Sequence, residues 1–180
     1  MKLLKSILIV LALFSAFTEA EENEKKQDTK NELQVIQKEI NDLVDQGGKY
    51  VYLQLARKNT LSPFAIGREE NGNMIMLEVP KSEENASFSD KIYKLRELLK
   101  SGAEANKFIS AALFVKAQVP HKGKEVDGIA IEMEHKRGMS VLRFLPYEVD
   151  RENKKINFDK PIDKVKPNVF FAKPTENVAG

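Results

Sequence analysis

The 180 residues contain no cysteine and no tryptophan, and histidine occurs only at positions 121 and 135. Without thiols there can be no disulfide, no thiolate nucleophile, no cysteine-ligated zinc or iron–sulfur centre and no thiol-linked lipid anchor. A cysteine-free chain also escapes mispairing in an oxidising compartment. The absence of tryptophan removes the usual aromatic platform for sugars. There is no excess of one charge: 29 basic and 27 acidic residues leave a net +2. That balance provides no long-range field to draw in nucleic acid or an acidic membrane. Phosphate-loop, nucleotide and metal motifs are missing too, so no cofactor and no metal site is expected. Within residues 31–172 there is no internal repeat, coiled coil or domain linker.

What the chain does have begins at its N-terminus. Lys2 and Lys5 precede an apolar run from Ile7 to Phe17, and Thr18-Glu19-Ala20 follows with small residues at the −3 and −1 positions. A basic start, a short apolar stretch and a small-residue exit describe a secretory signal peptide, cleaved here after Ala20. The run is short of the roughly 20 apolar residues that a spanning helix needs. Removing residues 1–20 takes away two positive charges and one negative, leaving a net +1. Residues 21–30 contain no apolar side chain and read as a disordered lead. The expected organisation is a signal peptide (1–20), this lead (21–30), one globular domain (31–172) and a flexible tail (173–180), the mature protein being periplasmic or secreted with no membrane span.

In the domain, Leu33, Ile36, Ile40, Leu43 and Val44 fall at helical spacing. They predict a helix over 31–46, opened by a Thr29-x-x-Glu32 capping box and stopped at Gly47-Gly48. Alternation of Val51, Leu53 and Leu55 with Tyr50, Tyr52 and Gln54 predicts a strand over 49–57. A hairpin follows over 64–69 and 73–79, with Asn71-Gly72 suited to a type I′ turn that needs positive φ at both residues. Ile92, Leu95, Leu98 and Leu99 mark a second helix, capped by Ser87 or Ser89 and ending at Ser101-Gly102. Residues 108–119 read as the central strand, because its odd positions are all apolar and must lie under a helix. After a loop at 120–125 comes a hairpin of 126–134 and 139–147. A three-residue Lys136-Arg137-Gly138 loop sets its register, pairing Met133 with Val141 and Ile129 with Leu145. Short extended pieces are expected at 155–158 and 168–172, and Pro161, Pro167 and Pro174 exclude a long terminal helix. The fold class is therefore α+β: an antiparallel sheet of about five to seven strands built from hairpins and a meander, with two helices packed on it. In element order alone it is similar to small profilin- and roadblock-type folds; no residue motif carries that likeness and it implies no function.

Few residues are candidates for chemistry. Glu132 and Glu134, two apart on a strand, project from one face at roughly 6.5–7 Å, within the range of paired acids in inverting glycosidases. They are the only catalytic candidates, and a solvated strand face is the plainer reading of them. His121 and His135 lie at opposite ends of one strand and cannot share a ligand; each is expected to face solvent in a turn. The basic turns at His121-Lys122-Gly123-Lys124 and His135-Lys136-Arg137-Gly138 do not merge into a patch. Tyr50, Tyr52, Tyr147 and Arg143 are the binding candidates, since tyrosines on a half-polar strand face often carry recognition. Asn85-Ala86-Ser87 fits a glycosylation acceptor in a polar loop. Together these features favour an exported non-enzymatic binding module for a protein or cell-envelope component. A self-associating envelope protein, a homo-oligomer formed through open strand edges, is the first alternative. A carboxylate-dependent hydrolase is the second.

Overall fold

The computed structural model describes residues 2–58, 60–121, 123–150, 152–153 and 155–172, with the side chains of 2–26, 81 and 121 outside that description. The expected tail at 173–180 lies outside the described residues, as do the side chains of the expected signal segment. Two helices and seven antiparallel strands follow in the order α1 (Lys2–Lys58), β1 (Phe64–Arg68), β2 (Met74–Glu78), α2 (Phe88–Glu104), β3 (Ser110–His121), β4 (Lys124–His135), β5 (Ser140–Asp150), β6 (Lys155–Phe158) and β7 (Ile162–Val165). A 3₁₀ turn at Lys81–Glu83 leads into α2. By its internal contacts the chain divides into residues 1–38, wholly helical where described, and residues 39–180, which hold the sheet, α2 and the rest of α1.

The sheet runs β2-β1-β3-β4-β5, and the outer edge of β5 is lined first by β6 and then by β7. α1 from Glu39 onward covers one face and α2 the other, so β3 is buried on both sides. Ala112 and Phe114 point into a core with Ile40, Leu43, Val51 and Leu55 of α1. Ala111, Leu113 and Val115 pack with Leu95 and Leu99 of α2. The expectation that the odd positions of β3 lie under a helix holds for Ala111, Leu113 and Val115; on its mixed even side Ser110, Ala112 and Phe114 are buried too, while Lys116 is partly exposed and Gln118 exposed.

The strand expected over 49–57 is instead the last part of α1, and Gly47-Gly48 does not stop the helix. The alternation read there conceals a helical repeat: Val51 and Leu55 are buried one turn apart, while Leu53 between them is exposed. A glycine inside a helix costs about 1 kcal/mol relative to alanine. Gly47 is kept because the helix backbone sits on the Phe114 ring, where any Cβ would fall inside the ring's van der Waals envelope. Residues 21–30, expected to be a lead without structure, continue α1; they are rich in Glu, Lys and Gln, which enter helices readily.

Both outer hairpins close with the same three-residue loop. Glu69 N–H donates to Asn73 O at 2.9 Å and His135 N–H to Met139 O at 2.8 Å, and the third loop residue is a left-handed glycine, Gly72 (φ 89°) or Gly138 (φ 102°). The register expected for β4–β5 is found, including Met133 with Val141, Ile129 with Leu145 and Glu134 with Ser140. The type I′ turn at Asn71-Gly72 is not: Asn71 keeps a negative φ, and its side chain instead accepts the Asn73 N–H at 2.9 Å. Residues 120–125 are not a loop, because β3 and β4 stay paired as far as His121 and Lys124. α2 is capped by Ser87, whose hydroxyl accepts the Asp90 N–H at 3.1 Å, and it runs past Ser101-Gly102 to Glu104 because Asn106 takes the left-handed position instead.

Gly47→Ala should force α1 off Phe114 and destabilise the fold by about 1–3 kcal/mol, the usual range for overpacking a core. Gly48→Ala, with nothing within 4 Å of its Cβ position, should be neutral or stabilising. Paired thermal melts of the two variants check this.

Candidate functional site

Glu132 and Glu134 do share a face of β4, the one that α2 covers. Glu132 faces Arg96 of α2, whose Nε lies 3.3 Å from Oε2 while Nη2 pairs with Oε1. Glu134 is fully buried, and four donors converge on it. Val169 N–H and Phe170 N–H donate at 2.7 Å each and Phe171 N–H at 3.2 Å, while the Lys166 ammonium also pairs with Oε1. Residues 166–171 therefore form a strap whose successive amides make a nest around one carboxylate. Phe170 of that strap is buried beside Leu95 and Leu99. This is why the short extended piece expected at 168–172 joins no sheet: its N–H groups at 169–171 are turned to Glu134 rather than to a neighbouring strand. Between the two ion pairs lies a cleft of about 370 Å³ walled by Leu142, Pro167 and Val169. Glu132 on its border and Glu134 beneath the strap are both already bound to protein donors, which suits anchoring rather than proton transfer.

His135 is fully buried rather than solvent-facing. Its Nδ1 accepts the Arg137 N–H at 3.0 Å, which leaves Nε2–H to donate to Glu39 of α1 at 2.8 Å. Burial pushes the imidazole below its ordinary value; Glu39 opposes that shift, and the nearby charges of Arg137 and Lys136 add to it. The register sets Arg68, Ser110 and His135 in one row across β1, β3 and β4, and Asp42 of α1 reaches Arg68 at 3.4 Å. A serine, a histidine and a glutamate thus stand together. They do not make a nucleophilic triad, because both imidazole nitrogens have other partners and Ser110 has no exposed surface. The sequence reading missed this histidine; its spacing from Gly138 in the loop was the available signal.

The four binding candidates are scattered. Tyr50 and Tyr52 are on helix α1, not on a strand. Tyr50 donates to Glu78 of β2, and that hydrogen bond, more than burial, pushes its phenol up to about 12. Tyr52 is exposed. Arg143 is held by Asp163 through two contacts of 2.7 Å that tie β5 to β7, and the guanidinium keeps the Asp163 carboxyl below its usual range.

Tyr50 borders a smaller cleft of about 250 Å³ with Glu78, and Tyr147 lies at two larger ones. α1 crosses the sheet from His135 on β4 to Glu78 on β2, and so leaves the far corner of β3, β4 and β5 bare. There, on the α1 face, an open cleft of about 510 Å³ is bordered by Lys116, Asp127 and Tyr147. A second cleft, of about 580 Å³, includes Phe144, Pro146, Phe158 and Ile162. Val126, Tyr147 and Glu148 border both. Desolvation raises the Tyr147 phenol above its ordinary value, and Lys116 partly offsets the rise. Among the described residues there is no group of three or more His, Asp or Glu side chains placed to hold a metal. No family model, curated protein or solved structure matches the chain.

Glu134→Gln should cost about 3 kcal/mol, since it strips charge from a buried site and strands Lys166. Hydrogen exchange should then accelerate at the 169–171 amides before it does in β1. His135 gives a pH signature. Its folded value is depressed, so its contribution is complete above the unfolded value near 6.5 and lost as pH falls below it. Melting temperature should drop on acidification through that window, and His135→Gln should flatten the drop.

Proposed function

We propose that the protein is an exported, non-enzymatic binding module that holds a protein or cell-envelope partner against the α2 face of β4, β5 and β7. One observation carries this reading. α2 covers β1 and β3, the strap covers part of β4, and beyond them Ala130, Leu142, Phe144 and Ile162 form an apolar strip that stays partly open, with Ile162 50 % exposed. The strip runs into the 580 Å³ cleft, where Phe144 and Phe158 supply the aromatic surface that anchors partners well. The acids and the histidine that could have carried chemistry are engaged within the protein, whereas this strip is not. Export rests on the basic and apolar N-terminal pattern. Among the described residues no helix is long and apolar enough to cross a membrane.

Self-association is the second reading, and one observation favours it: β7 is an edge strand exposed along its whole length, with Val165 82 % exposed. Lys160, Pro161 and Lys164 in and beside it are residues that discourage edge pairing, which places this reading second.

A photocrosslinker at Phe144 in the native compartment should give a discrete heterologous adduct, and the same group at exposed Tyr93 on α2 should not. The purified protein should begin at Glu21 and run as a monomer in light scattering. Absence of any adduct from Phe144 would overturn the docking reading, and an adduct to a second copy would replace it with self-association. A cytosolic protein beginning at Met1 would overturn export.

A further inference from the structure

We infer that the polar cleft on the α1 face, at Lys116, Asp127 and Tyr147, binds a small ligand with a primary ammonium group beside a carbonyl or carboxylate oxygen: an amino acid or the amino end of a peptide. The cleft exists because α1 takes the other diagonal of the sheet, and its size of about 510 Å³ is that of a small-molecule site. Lys116 Nζ and Asp127 Oδ2 are 3.9 Å apart, beyond hydrogen-bond distance, and their side chains are 35 % and 38 % exposed. Each keeps bonding capacity toward the cleft. The other oxygen of Asp127 is buried with no hydrogen-bond partner among the described residues. A carboxylate already partly stripped of water gains more from a donor at its open oxygen, because less hydration remains to be lost. Tyr147, a phenol protonated at neutral pH, can donate to a ligand oxygen while its ring meets Phe158 edge-on at 6.2 Å.

The charges around the cleft select the ligand class. Lys116 and Lys124 face Glu125, Asp127 and Glu148, one more negative charge than positive. A simple anion is disfavoured. A ligand with an ammonium for Asp127 and an adjoining oxygen for Lys116 and Tyr147 satisfies all three. Tyr147 borders both clefts, but Lys116 and Asp127 do not border the apolar one, so the ammonium pairing does not rest on the partner-docking reading.

The test is titration of the full mature protein with L-alanyl-L-alanine, followed by NMR shifts and calorimetry, with the N-acetylated dipeptide as control. Binding should move the amides of 116–118, 125–127 and 147–149. N-acetylation and Asp127→Asn should each weaken it about tenfold or more, the usual effect of losing a charged hydrogen bond. Lys116→Met should also weaken it and serves as the second variant should Asp127→Asn fail to fold, while Tyr93→Ala, at an exposed position bordering neither cleft, should leave it unchanged. No binding at millimolar dipeptide, equal binding of the acetylated form, or undiminished binding by a folded Asp127 or Lys116 variant would overturn the assignment.

Discussion

The Phe114 ring is the contact on which the rest of the structure depends. It stacks on Phe64 with centroids 4.7 Å apart and planes 2° from parallel, and Tyr50 meets Phe64 edge-on at the same spacing. Gly47 closes the stack from above. Because the helix backbone itself touches the ring, α1 cannot slide or rotate without opening a void or a clash. That fixed seat sets the helix's diagonal across the sheet. The diagonal in turn decides which corner is roofed and which is left to solvent. The bare corner holding Tyr147 is thus a consequence of one glycine on one aromatic ring.

The polar interior obeys a second constraint. A buried charge is tolerated when donors surround it, and loss of one partner typically costs several kcal/mol against a total stability of about 5–15. Glu134 meets that condition, while His135 is satisfied by one donor and one acceptor and Arg143 by the Asp163 carboxylate; these contacts join β4 to the strap, β4 to α1, and β5 to β7. They are seams of the fold. Lys116 and Asp127, loosely paired and one-third exposed, are different in kind, and so are the half-covered Leu142 and Phe144 on the opposite face. Of the buried polar atoms without a hydrogen-bond partner, Arg68 Nε, Ser110 Oγ and Asn168 Oδ1 lie elsewhere, and Asp127 Oδ1 is the one that belongs to a side chain bordering the polar cleft beside Tyr147.

Much of the architecture was legible from patterning. The helix-covered odd face of β3, the β4–β5 register and the glycine at its loop follow from period-2 alternation and one left-handed position, whereas burial of Ala112 and Phe114 on the even face did not show. The strand expected over 49–57 failed for a physical reason: residues four apart satisfy both a helix and an alternating strand when the residue between them is apolar, as Leu53 is. Gly47-Gly48 looked like a stop because close approach to a distant ring leaves no local mark. The site was less legible. Glu132 and Glu134 were correctly placed on one face, but their partners, Arg96 and the amides of 169–171, lie about 35 residues away and are backbone groups in part. Tyr147 was singled out in the sequence as a half-polar aromatic, whereas Lys116 and Asp127 meet only through the β3–β4 register.

The amide nest around Glu134 also bears on when the fold can be completed. A chain made and threaded N-terminus first delivers β4 well before residues 166–171. Until those amides arrive, Glu134 has no donors beyond water and Phe170 leaves its place beside α2 empty. The sheet therefore stays unsealed while most of the chain already exists, and closes late. The contact that locks the fold is thus supplied by nearly the last of the described residues.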